Sequence, residues 1–174
     1  MDDVNIEAIA DVLALVISLI ALTVSAYLAA RQTKTAAAGY ALPVVLEVFD
    51  QFRTPEFFTA RQYVYHRLNV EFDPPVALVD LPVDVQTTVR LVAGRYDDLG
   101  KLVAHGIIDE DLIIGSNGTA TRKVWAAVKP FVLLDRRENN ATTWCYLEDL
   151  ARRVERRPPR DVYDKLRLDY TRQQ

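Results

Sequence analysis

The stretch VLALVISLIALTVSAYLAA, residues 12–30, holds nineteen consecutive residues without a charged side chain, and ten of them are Leu, Ile or Val. A helix of this length spans about 28 Å at 1.5 Å per residue, close to the roughly 30 Å hydrocarbon core of a bilayer. The hydroxyl groups of Ser18, Thr23 and Ser25 are tolerated because a helical hydroxyl can bond a carbonyl oxygen of the preceding turn. We therefore predict a transmembrane helix over residues 12–30.

Two alternatives compete with this prediction. A cleaved signal peptide has a basic region before a shorter apolar core, whereas residues 1–11 carry four acidic side chains and no basic one. A helix buried in a soluble core normally keeps a polar stripe, whereas residues 12–30 are apolar all round. The composition therefore favours a membrane span over both.

The charges that flank the apolar stretch predict its orientation. Arg31 and Lys34 follow it closely, and no basic residue precedes it. The positive-inside bias then makes residues 1–11 a short extracytoplasmic N-terminus and places the later chain on the cytoplasmic side of the inner (cytoplasmic) membrane. Tyr27 lies one turn before Arg31, so Tyr27, Arg31 and Lys34 are the predicted membrane-interface residues.

Small side chains recur on one face of the predicted span, at Ala14, Ser18, Ala21 and Ser25. Such a seam permits close approach of a second helix, so it is a candidate contact for homo-oligomerisation. Residues 31–41 are rich in good helix formers and are predicted to form a juxtamembrane extension of the helix.

Residues 42–157 are predicted to form a cytoplasmic α-helical domain. Thr54 and Pro55 supply an N-cap hydroxyl and a first-turn proline. The clearest amphipathic helix ends at Gly106 and repeats apolar residues with a 4-3-4-3-4 spacing, which favours an intramolecular core over a two-stranded coiled coil. Its inward residues are Val85, Val89, Val92, Tyr96, Leu99 and Val103. No segment alternates like a strand, so the predicted fold class is all-α, with one N-terminal transmembrane helix followed by a bundle of about five or six helices.

Local features predict breaks and exposed positions within this domain. The sequence GSNGT, residues 115–119, predicts a turn. Pro130 predicts a kink or break near Lys129. Asp97 and Lys101 are predicted to form an i,i+4 ion pair on the exposed side of their helix. Residues 158–174 form a charged C-terminal tail that begins with two prolines, and we expect a loosely attached terminal helix in it.

The overall charge excludes a general polyanion-binding protein. The formal net charge is −3, but residues 1–30 carry four acids and no base, and residues 31–174 carry 21 bases and 20 acids. The domain is therefore nearly neutral, and without a nucleic-acid-binding signature we do not expect nucleic acid as a partner. A single cysteine excludes an intramolecular disulfide, as is typical of a reducing cytoplasm.

No residue pattern predicts catalysis, a cofactor or a metal ion. His66 and His105 lie outside the spacings that bind metals, and Cys145 lies between Trp144 and Tyr146, where a small buried side chain is expected. The acidic run 109–111 lacks the spacing of a calcium loop and is predicted to start a one-turn helix. We therefore expect a protein that is not an enzyme, and the sequence leaves a small-molecule ligand unknown.

A cluster of basic residues lies at the C-terminal end of the domain. Arg152 and Arg153 follow acidic residues at the favourable i,i+4 spacing and are predicted to be paired with Glu148 and Asp149. The remaining cations, Arg156, Arg157 and Arg160, form either a solvated helix end or a contact with an anionic membrane surface.

Several longer segments together carry a family resemblance: ARQT after the anchor, TPEFFTARQYVYHRL, YDDLGKLVAHGIIDEDLI, and the Trp125 helix followed by RRE and WCYLEDLARR. This layout, over about residues 10–155, resembles an uncharacterised bacterial family of membrane-anchored helical proteins described only as a domain of unknown function. The resemblance implies a membrane anchor and a helical domain, and it implies no activity.

The leading hypothesis is a single-pass membrane protein whose cytoplasmic helical domain binds a protein partner or assembles with itself. Its partners are then membrane lipid and a protein or a second copy of this chain. One alternative is a membrane-tethered enzyme or toxin-like effector with an active site outside known motifs. Another is a sensor of anionic lipids that uses the C-terminal arginines.

Overall fold

The computed structural model describes residues 13, 15–29, 43, 45–138 and 142–169. Every regular element among them is helical and none is a strand, which confirms the predicted all-α class. The chain divides into two compact units, Met1–Val44 and Val45–Gln174.

The continuous described part of the first unit is one helical segment, α1, over residues 15–29. Every side chain in it is exposed, including those of Tyr27 and of the seam residues Ser18, Ala21 and Ser25. Thr23 Oγ1 donates to the carbonyl oxygens of Leu19 (3.1 Å) and Ile20 (2.8 Å), as predicted for a hydroxyl in an apolar helix.

Several predictions for this unit lie outside the described residues: those for Ala14, Arg31, Lys34 and the extension 31–41. Within the part of the chain that is described, no helix combines the length and the apolar character that crossing a membrane requires.

The second unit is a helical bundle. After a helical stretch at residues 45–51 come α2 (Pro55–His66), α3 (Leu68–Glu71), a short 3₁₀ helix (Leu78–Asp80), α4 (Val83–Ala104), α5 (Glu110–Glu138), α6 (Cys145–Arg156) and α7 (Pro159–Leu166). Helix α4 lies at the centre and packs against α2, α5 and α6.

The predicted caps and core of α2 and α4 are confirmed. The backbone N–H of Phe57 donates to Thr54 Oγ1 at 3.2 Å, with Pro55 in the first turn. All six residues of the 4-3-4-3-4 pattern in α4 are buried. Gly106 follows the C-cap with φ of +67°, a left-handed conformation in which glycine is free of the steric penalty of a Cβ atom.

The predicted turn at residues 115–119 is wrong, because α5 runs through these residues as one helix. The same helix continues through Pro130, so the chain does not break near Lys129. The physical reason lies in helix packing. A Cβ atom on Gly118 would lie 3.0 Å from the Pro159 side chain, and one on Gly115 would lie 3.3 Å from Val162. These glycines let α7 approach α5 closely, and tertiary contact outweighs their low helix propensity.

The predicted exposure of Asp97 is also wrong. It pairs with Lys101 (3.1 Å) as expected, but it is only 6% exposed. Its Oδ1 accepts hydrogen bonds at 3.0 Å from the backbone N–H groups of Tyr146 and Leu147, in the first turn of α6. One carboxylate thus caps a helix that lies about fifty residues later in the chain.

The predicted terminal helix is confirmed as α7, but the expectation that it is loosely attached is wrong. Val162 is fully buried with Ile114 and Val154 in a second apolar cluster. Tyr163 donates its hydroxyl hydrogen to the carbonyl oxygen of Gly115 at 2.6 Å. Helix α7 is therefore packed on α5.

Candidate functional site

A cleft of about 410 Å³ lies between α2–α3 and α5. Its lining consists of Tyr65, His66, Asn69, Lys123, Ala126 and Ala127. The volume falls in the range of small-molecule sites, about 300–1,000 Å³.

The two walls are held together by side chains of α2 and α3 that bond the backbone of α5. Tyr65 and Asn69 are four residues apart, and both reach towards α5. The Tyr65 hydroxyl lies 3.4 Å from the carbonyl oxygen of Ala120, and Asn69 Nδ2 donates to that of Ala127 at 2.9 Å. The cleft is therefore built on rigid helices.

The lining of the cleft is basic. Lys123 contributes a cationic side chain and His66 contributes an imidazole, and no acidic residue is among the lining residues. Within the described ranges, Lys123 makes no ion pair. Burial raises the pKa of the Tyr65 phenol well above its ordinary value, so its hydroxyl remains protonated and donates its hydrogen to the carbonyl oxygen of Ala120.

A polar network lies behind Tyr65. The Arg61 guanidinium lies 3.5 Å from the hydroxyl of the buried Tyr96 and stacks 5.7–6.0 Å from the ring centroids of Phe57, Phe58 and Tyr65. Its Nε is buried and has no hydrogen-bond partner among the described residues. Arg61 likewise has no carboxylate partner in this part of the chain, so its charge is balanced only by aromatic faces and a phenol.

The side chains that sequence reasoning considered for chemistry are all exposed. His66 and His105 are both exposed, and His105 rests near the Tyr146 ring at 6.1 Å. Cys145 is exposed, so the expectation of a buried cysteine is wrong. Its position at the first residue of α6, where the chain enters the bundle, explains the exposure. No group of three His, Cys, Asp or Glu side chains in the described ranges is placed to hold a metal ion.

The basic cluster is mostly paired. Arg152 bonds Glu148 at 2.6 Å and Arg153 bonds Asp149 at 2.7 Å, which confirms those two predictions. Of the three arginines expected to be open, Arg157 pairs with Asp111 and Arg160 lies 3.9 Å from Asp164. Arg156 is exposed and makes no ion pair within the described ranges.

Sequence reasoning missed the cleft because no motif marks it. Lys123 and Asn69 come from different helices, and only the fold brings them together. A partial signal was present in the spacing of Arg61 and Tyr65, since residues four apart share a helix face.

No curated protein and no solved structure shows significant similarity to this chain. The sequence model of one family matches residues 8–154, which is most of the chain and includes all the segments that carried the resemblance. The resemblance to an uncharacterised family is thereby confirmed. The chain belongs to the family described as Domain of unknown function (DUF4760).

Proposed function

We propose that this chain is a single-pass membrane protein whose helical domain binds a protein partner or a second copy of itself at the cytoplasmic face. The observation that carries the proposal is the environment of α1. Its described residues bear no charge, and every side chain is exposed, with Leu15 at 72% and Leu22 at 67%. A contiguous apolar surface of this kind is rare on soluble proteins unless something covers it.

Lipid is the covering that best fits the sequence. Residues 12–30 supply nineteen uncharged residues, and their ten Leu, Ile and Val side chains favour insertion by on the order of 3–6 kcal/mol. Tyr27, Arg31 and Lys34 would then lie at the cytoplasmic interface, with residues 1–11 outside.

Binding of a protein fits the second unit better than lipid sensing or catalysis does. Its large exposed apolar side chains include Phe58 and Val70, at 53% and 77% exposure, and they are candidate contacts. Within the membrane, the small residues Ser18, Ala21 and Ser25, together with Ala14, are the candidate self-association seam.

The hypothesis of a lipid sensor loses support because Arg157 already pairs with Asp111 and Arg160 lies near Asp164. The hypothesis of an enzyme based on a histidine loses support because both histidines are exposed. Among the residues that the structure describes, no carboxylate lies within hydrogen-bonding distance of either histidine.

Two measurements on the full chain test the proposal. Washed membranes are extracted with alkaline carbonate, and we expect the chain in the pellet. Photo-crosslinking from Phe58 and, separately, from Ser18 should then yield adducts with a partner or with a second copy. Release of the chain by carbonate would contradict the anchor, and absence of any adduct from either position would contradict the binding role.

A further inference from the structure

We propose that the cleft between α2–α3 and α5 binds a phosphate group. The lining offers two donors that are free for a ligand: the Lys123 ammonium group and the second N–H group of the Asn69 amide. No carboxylate among the lining residues competes for these donors.

The chemistry of the donors favours a phosphate over a carboxylate. A phosphate monoester carries a charge of about −1.5 to −2 at neutral pH and presents three strong acceptor oxygens. A carboxylate carries one charge and two oxygens. Asn69 gives one of its two N–H donors to Ala127, which fixes the amide at the wall of the cleft and leaves its second donor position.

Arg61 strengthens the positive potential from behind. Its guanidinium lies 6.0 Å from the Tyr65 ring and makes no ion pair within the described ranges. The screening length at physiological salt is about 8 Å, so the charge of Arg61 raises the electrostatic potential around the Tyr65 ring, which lines the cleft. A half-buried cation without a carboxylate partner is costly to a fold, and a bound anion would offset part of that cost.

The test is thermal unfolding of the full chain in a neutral detergent, followed by circular dichroism. Inorganic phosphate, acetate and chloride are titrated at matched ionic strength and pH. A ligand that binds the native state raises Tm with concentration. We expect a saturable rise with phosphate that acetate and chloride do not reproduce. Equal rises with all three anions, or no rise with any phosphate compound, would overturn the proposal.

Two charge-matched variants localise the effect. Lys123→Gln and Lys129→Gln each remove one exposed lysine from α5, but only Lys123 lines the cleft. Loss of a charge-assisted hydrogen bond should raise the apparent Kd for phosphate about tenfold in Lys123→Gln. Lys129→Gln should bind as the parent does. The same weakening in both variants would overturn the site.

A second pair of ligands identifies the source of the phosphate. Dihexanoyl phosphatidic acid presents a phosphate monoester on a lipid, and dihexanoyl phosphatidylcholine is its neutral control. A rise in Tm with inorganic phosphate points to a soluble phosphate compound. A rise with phosphatidic acid alone, abolished by Lys123→Gln, points to a headgroup. Both results support the phosphate site, and they do not depend on whether the chain is anchored.

Discussion

Helices α1 and α4 are both rich in apolar residues, yet they place them differently. In α4, the apolar residues form one stripe that is buried against α2, α5 and α6, and the opposite side meets solvent. In α1, apolar residues surround the axis and all the described ones are exposed. The distribution of apolar side chains around a helix, more than their number, determines which surroundings the helix requires. This contrast supports our assignment of lipid to α1 and protein to α4.

The strongest test of this contrast introduces arginine at exposed apolar positions, first in α1 and then, as a control, in the helical bundle. Leu19→Arg with Ile20→Arg should disfavour membrane insertion by about 6 kcal/mol, since each arginine at a span centre costs about 3. The double variant should then be released by alkaline carbonate, as quantified on immunoblots.

The matched control is Leu166→Arg with Leu168→Arg in the C-terminal part of the bundle. These leucines are 58% and 51% exposed, close to the 61% and 56% of Leu19 and Ile20. The control should remain in the membrane pellet. If carbonate releases both double variants, or neither of them, the exposed apolar side chains of α1 are not what holds the chain in the membrane.

On the buried side of α4, the largest effect on folding should come from Gly100→Ala. A Cβ atom there would lie 2.4 Å from the backbone carbonyl oxygen of Tyr146, which cannot move without displacing α6. We expect a loss of about 3 kcal/mol in the free energy of unfolding, measured by urea denaturation.

Gly94 provides the control on the same helix, because its added Cβ would meet nothing within 4 Å. Gly94→Ala should raise the free energy of unfolding by about 0.5–1 kcal/mol through its helix propensity. A similar loss at both glycines would contradict the close contact of α4 and α6.

The next largest loss of stability should come from substitution of Asp97, the buried carboxylate that caps α6. Asp97→Ala leaves the N–H groups of Tyr146 and Leu147 without their acceptor, and we expect a loss of about 2 kcal/mol. Asp98→Ala, on the exposed side of α4, should cost under about 0.5 kcal/mol. Equal losses in urea denaturation would mean that Asp97 acts only through its ion pair with Lys101.

The smallest effect should come from the ion pairs that join Asp111 of α5 to Lys165 of α7 and to Arg157 at the end of α6. A hydrogen bond from Lys165 (2.7 Å) and the charge of Arg157 lower the pKa of Asp111 below its ordinary value of 3.8. Its stabilising effect is therefore present above pH 3.8 and lost as pH falls through the lowered pKa. Asp111→Asn should cost about 1 kcal/mol or less at pH 7, after allowance for solvent screening.

The measurement is the free energy of unfolding of Asp111→Asn and of the parent at pH 7 and at pH 3. The difference between the two proteins should shrink at the lower pH. A difference that is independent of pH would show that the carboxylate charge contributes nothing at this junction.

The sequence predicted well those features that depend on neighbours in the chain. The Thr54 cap, the Gly106 terminus and the apolar stripe of α4 follow from spacing alone, and each is confirmed. The i,i+4 pairs of Arg152 and Arg153 are local in the same sense.

Features that depend on distant residues were missed or mistaken. Gly115 and Gly118 indicate a turn until α7 is seen to pack against them. Asp97 looks like a surface partner of Lys101 until α6 brings two backbone N–H groups to it. The cleft was not predictable, because Lys123 reaches Tyr65 and Asn69 only in the folded bundle.

The most direct test of the central claim uses Cys145, which is exposed and is the single cysteine of the chain. Sealed membrane vesicles of both orientations are treated with a membrane-impermeant maleimide. We predict labelling of Cys145 in inside-out vesicles and protection in right-side-out vesicles until detergent opens them. Labelling of Cys145 in sealed right-side-out vesicles, or recovery of the chain outside the membrane fraction, would contradict a cytoplasmic domain on a membrane anchor.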